Sequence, residues 1–171
     1  MRGAGWTPAL ALLFAACASK TPDIPEGPPV ALKLRRIDGN TLNIGALRGK
    51  VVVITVLTSF ARDALAELPR LEALRKHHGP ELEVIAILLE EHPDVIRAFA
   101  VTFPVRFVVA VPDDLTGFVG SRGPLGPILT LPTSVVLDQA GIIRARSEGQ
   151  WPPEFLEPLV DRLLAADHRS H

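Results

Sequence analysis

Sulfur is almost missing from this chain: Cys17 is its one cysteine and Met1 its one methionine. A lone cysteine closes no internal disulfide, and beyond Cys17 no thiolate is left to hold a metal or attack a substrate. A copper site of the Cys/Met kind is excluded on ligand supply alone. Tyrosine is absent and aromatics make up 5% of the residues, too few for a base-stacking surface. An excess of one charge is missing too. The 18 basic and 19 acidic residues are spread along the chain, without the basic block or stripe that a phosphate backbone needs. Nucleic acid is therefore not expected as a partner. There is no G-x-S-x-G and no phosphate-binding glycine loop, and Ser59 and Ser134 have no histidine at a hydrolase spacing.

What the chain does have is apolar mass. Hydrophobic residues are 47% of 171, enough for one globular domain with a real core and too few residues for two comfortable ones. The first 20 residues, "MRGAGWTPALALLFAACASK", read as an export signal, with Arg2 ahead of a short apolar core. That core, from about Ala9 to Ala16, is far short of the ~20 residues that span a bilayer. It ends in "FAAC", which resembles the lipobox of bacterial lipoproteins, with Phe14 where leucine is usual. The resemblance implies cleavage before Cys17, lipidation of its sulfur and a membrane anchor, and Ala18 after it implies the outer membrane. A plain secretory signal with a chance cysteine is the alternative. "ASKTPDIPEGPPV" follows, four prolines in 13 residues, and reads as an extended tether. The expected organisation is a lipoprotein signal over 1–16, a proline-rich tether over 17–29, a folded domain over 30–167 and a tail over 168–171.

Within the domain, "ALKLRRIDGNTLNI" alternates apolar and polar residues around Asp38-Gly39, a two-residue hairpin signal. "KVVVITVL" and "LEVIAILL" are continuous apolar runs, as in strands covered on both faces. Between them, from about Ser59 to His77, Leu65, Leu68, Leu71 and Leu74 give a helical stripe, which Pro69 should kink. "PDVIRAFAV" predicts a short helix with proline in its first turn, and Phe103–Ala110 a third strand. "DDLTGFVG" suggests a helical turn. "PTSVVLDQAGIIRARSEG" reads as two strands around a turn, and Leu156, Leu159, Val160, Leu163 and Leu164 mark one face of a closing helix, its start obscured by Pro158. This alternation predicts an α/β fold, a mixed sheet with helices on both faces and an N-terminal β-hairpin.

"DGNTLNIGALRGKVVVITVLTSFARDALAELPRLEAL" resembles the opening of the TlpA/ResA-type thioredoxin-like proteins, exported thiol–disulfide oxidoreductases. Phe103-Pro104-Val105 and "LPTSVVLD" match later segments, so the resemblance covers about Leu34 to Leu164. It implies a thioredoxin-like fold. Where the family has a tryptophan and then C-x-x-C, this chain has Phe60 and then Ala61-Arg62-Asp63-Ala64. A methyl group has no lone pair and no redox couple, so the thiol reaction itself is lost. Thr58-x-x-Ala61 also resembles the peroxiredoxin pattern T-x-x-C, again with alanine for cysteine.

The family's cis-proline position falls on Pro132. The resemblance implies that Leu131, Pro132 and Thr133, with Phe60, line a groove that takes an extended peptide by main-chain pairing, which needs no sulfur. Pro132 serving only the shape of its loop is the other reading. Glu91 falls on the family's acidic position, with Glu90 one place away. Arg62, Asp63 and Glu67 are expected on the solvated face of a helix start. His77 and His78 are adjacent, point apart on a helix and have no carboxylate at a metal-site spacing, while His168 and His171 belong to the tail. No metal and no cofactor are expected. The sequence thus predicts an envelope protein without thiol chemistry that binds another envelope protein or peptide. The alternatives are redox or peroxiredoxin-like work through a partner's cysteines, and a purely structural lipoprotein.

Overall fold

The computed structural model describes residues 27–167. The export segment, Cys17, most of the tether and the 168–171 tail lie outside the described residues, as do the side chains of Asp63 and Ala64. Among the described residues no helix is long and apolar enough to cross a membrane.

Seven strands form one sheet: β1 (Lys33–Arg36), β2 (Thr41–Asn43), β3 (Val51–Leu57), β4 (Leu82–Leu88), β5 (Val108–Val111), β6 (Thr133–Leu137) and β7 (Ile143–Glu148). Their order is β2-β1-β5-β4-β3-β6-β7. The inner strands β3, β4 and β5 are parallel, and the flanking pairs are antiparallel. Among the described residues the α-helices are α1 (Arg62–Ala66), α2 (Leu68–His78), α3 (Pro93–Thr102), α4 (Leu115–Val119) and α5 (Pro153–Asp167), with short 3-10 turns at Ile44–Leu47 and Gly79–Glu81.

The apolar run of β3 is explained by its central place. All seven residues are buried, and they alternate between two cores. Val51, Val53 and Leu57 meet one core, built with α2, α3 and α5; Val52, Ile54 and Val56 meet the other, built with Leu34, Ile44, Phe118 and Leu125. This is the period-2 geometry of a strand with no solvent face. Thr55 interrupts the first row, and its hydroxyl finds Ser134 across the β3–β6 ladder, Oγ1 to Oγ 2.9 Å. Both groups are buried, so each satisfies the other.

Three local expectations are corrected. The first hairpin has a three-residue loop, Ile37 to Gly39, because Arg36 pairs with Asn40 (N to O 2.8 Å). Gly39 donates back to the Arg36 carbonyl and holds φ at +88°, the left-handed position that such loops give to glycine. The third strand starts at Val108 instead of Phe103. Phe103 caps α3 by donating to Phe99, and Pro104 has no N–H to offer a ladder. The long helix after β3 is two helices. Proline favours the first turn, so Pro69 opens α2, and the break falls at Glu67. At the C-terminal end, α5 runs through Pro158, burying Leu156, Leu159 and Val160.

Candidate functional site

Three chain segments meet at one end of the sheet. Parallel register sets Leu57 beside Leu88, so the residues leaving β3 (Thr58–Ala61) lie next to those leaving β4 (Leu89–Glu91). Antiparallel register sets Val56 beside Thr133, which brings the loop before β6 (Leu129–Pro132) to the other side of the β3 exit. The Leu131–Pro132 bond is cis. The sequence-derived frame of motif and proline loop is therefore assembled in space.

Its surface is apolar in the middle. Phe60 is 78% exposed and Leu129 74%, whereas Ala61 and Leu131 are half-buried against the two cores. Arg62 is exposed. Pro132 and Thr133 are buried floor and offer a docking peptide no side-chain surface. The Pro132 carbonyl accepts from Gly149 N at 2.7 Å, and the Thr133 hydroxyl donates to the Thr130 carbonyl at 2.6 Å. Leu129 was not among the residues singled out from sequence; its place three residues before the cis proline was the available signal.

The carboxylate that reaches the site is Glu90. Its Oε2 accepts from the Ser59 hydroxyl at 3.3 Å, and its Oε1 accepts from the backbone N–H groups of Glu91 and His92 at 2.9 and 3.0 Å. The His92 amide above all, with the Glu91 amide and Ser59, holds the Glu90 carboxyl below its ordinary range. Such a group stays ionised at neutral pH and is a poor proton shuttle. Glu91 is exposed.

Glu67 departs from the expected solvated face. It is 3% exposed, in the break between α1 and α2, and Arg70 Nη1 donates to its Oε1 at 3.0 Å. The same Arg70 nitrogen donates to the Trp151 carbonyl at 3.0 Å, tying the break to the start of α5. Desolvation pushes the Glu67 carboxyl up, and the Arg70 charge offsets only part of that.

The histidines also sit differently from expectation. His77 and His78 close α2, and α5 brings carboxylates to them: Glu157 Oε1 is 4.0 Å from His77 Nε2, and Asp161 Oδ1 is 3.8 Å from His78 Nδ1.

No protein-family model matches the chain, and no curated protein is similar to it in sequence. Solved structures do match. A thiol:disulfide interchange protein of the thioredoxin family from Chlorobium tepidum TLS superposes with a TM-score of 0.68 at 19% identity, covering 83% of this chain and 99% of its own. A DsbF homologue from Corynebacterium diphtheriae gives 0.70 at 16% identity, over 81% of this chain and 88% of its own. A thiol-disulfide isomerase from Corynebacterium glutamicum gives 0.64 at 22%, over 82% and 96%. Identities this low speak to fold alone. The chain has the thioredoxin-like fold of these interchange proteins, and its residues 27–167 contain not one sulfur atom.

Proposed function

We propose that this protein is a thioredoxin-like binding module of the cell envelope that has left thiol chemistry behind. One observation carries the reading: Phe60 and Leu129, 78% and 74% exposed, stand at the sheet end where the fold's motif and proline loop meet, around alanines instead of cysteines. Large apolar side chains held out on a rigid edge suit a protein or peptide partner. Ser59 and Glu90 supply a polar rim, the hydroxyl donating to a carboxylate that is also held by the Glu91 and His92 amides. Export and lipidation at Cys17 complete the proposal: a module anchored to a membrane of the cell envelope and facing the periplasm, with the outer membrane as the membrane implied by Ala18.

Photo-crosslinking in cells tests it. A photoreactive residue at position 61 or 131 is expected to trap a protein that one on exposed Lys76 of α2 does not, and Phe60→Asp with Leu129→Asp is expected to abolish the adduct. Cys17→Ala is expected to release the protein from the membrane fraction. An adduct indifferent to the two aspartates, or disulfide reduction by the purified protein above a protein-free control, overturns the reading.

A further inference from the structure

The C-terminal turn of α2 and the middle of α5 together present a second site. His77 and His78 stand edge to face, ring centroids 4.7 Å apart and planes at 83°. One ligand atom from each of His77, His78 and Glu157 lies within 4.8 Å of the others. Asp161, one turn beyond Glu157 on the same face of α5, places its Oδ1 3.8 Å from His78 Nδ1. Neither histidine–carboxylate separation, 4.0 and 3.8 Å, is a hydrogen bond.

The independent sign is His78 itself. Its side chain is 6% exposed, and its Nε2 is buried with no hydrogen-bond partner. Buried polar atoms are almost always satisfied, and the exceptions ask for a reason. A metal ion beside the ring supplies one.

We propose that His77, His78 through its Nε2, and Glu157 bind a divalent transition ion, Zn²⁺ by its ligand chemistry, with Asp161 at Nδ1 as the carboxylate that orients the His78 ring. Imidazole and carboxylate are the donors such ions take in the absence of thiolate. Tetrahedral zinc with bonds of about 2.0–2.2 Å holds its ligand atoms roughly 3.3–3.6 Å apart. The ligand atoms of His77, His78 and Glu157, within 4.8 Å of one another, close to that by about 1.5 Å or less, and the side chains of His77, Glu157 and Asp161 are 65%, 54% and 59% exposed, free to make the adjustment. The end of a helix, where carbonyls concentrate partial negative charge, favours the cation further. Arg70, which lines the adjoining cleft with His77 and Glu157, is already committed to Glu67 and the Trp151 carbonyl. The ion would clamp α5 onto the end of α2 that leads into the start of β4, the opposite end of the sheet from the β3 exit that carries Phe60.

Metal-free protein titrated with Zn²⁺ against a chromophoric chelator tests this, with thermal melts in parallel. One equivalent is expected to bind, raising Tm by about 8–10 °C at 100 times Kd. His77→Gln and Glu157→Gln, both at exposed side chains, are each expected to weaken binding at least 10-fold, while His168→Gln with His171→Gln leaves it unchanged. X-ray absorption is expected to show two imidazoles on the ion. Failure to bind at about 100 µM Zn²⁺, or binding that follows the tail histidines and ignores His77 and Glu157, overturns the site.

Discussion

Replacing Thr55 with valine removes one hydroxyl from the β3–β6 seam, one ladder step below the Val56–Thr133 pair that positions the proline loop. Thr55 is 1% exposed and Ser134 3%, so neither group can turn to water when the other is lost. Valine matches threonine in volume; the cost is the lost hydrogen bond plus the stranded Ser134 hydroxyl, about 1–3 kcal/mol. Ser134→Ala strands Thr55 in the same way and costs a similar amount. The double variant strands nothing and puts apolar groups into an apolar layer, so it should cost less than either single change, about 0–1 kcal/mol. The coupling therefore lies near 1–2 kcal/mol or above, well outside the additivity expected of independent sites. Urea unfolding followed by the fluorescence of buried Trp151 and by circular dichroism reads it out. Each single variant should lower the midpoint by roughly 0.5–1.5 M and the double variant by much less. Costs that simply add would refute the mutual satisfaction of these hydroxyls.

Two further outcomes follow from the site. Because burial raises the Glu67 carboxyl pKa, the folded protein binds that proton more tightly than the unfolded chain. Stability from this group is thus full below the unfolded pKa and lost as pH rises through the folded one. Glu67→Gln keeps an acceptor for Arg70 and should flatten the stability profile on the rising side of pH 4.5, measured by denaturant midpoints across pH; an unchanged profile counts against the assignment. Writing the sulfurs back as Ala61→Cys with Ala64→Cys should create a pair that closes reversibly with a midpoint between about −120 and −270 mV and reduces insulin with a thiol recycler. If the pair stays open under oxidant, the frame is not competent for thiol exchange.

The sheet interior was legible because a strand buried on both faces has little polar sequence to blur it: "VVVITVL", with Thr55 its single polar residue, reads directly as β3. The sheet end was legible for a different reason, since a proline loop and a motif segment keep their order and spacing even when the reactive atoms change. Less could be read where the outcome depended on tertiary partners. Glu67 looks like any helix-start carboxylate until it is seen buried against Arg70, whose same nitrogen is held by the Trp151 carbonyl. Thr133 looks available on a loop but is consumed by the Thr130 carbonyl. The sequence offers His77 and His78 no carboxylate at a metal-site spacing, and no periodicity reveals that α5 brings Glu157 and Asp161 to them. Glycine and proline, by contrast, acted locally: Gly39 and Pro104 each moved a boundary through a single backbone requirement.

Arg146 has a consequence for how a partner would meet the loop. From β7 its guanidinium donates to the carbonyls of Leu125 and Pro127, while Leu125 is 1% exposed and Ile128 N bonds the Val119 carbonyl at 3.2 Å. The segment leading to Leu129 is therefore stitched to both the sheet and the second core before any partner arrives. Fixing a flexible backbone costs about 1–2 kcal/mol per residue, and here folding has already met that cost. A partner that docks there, as proposed, would meet a wall already in place: no loop closure would be needed, and association should proceed in a single kinetic phase.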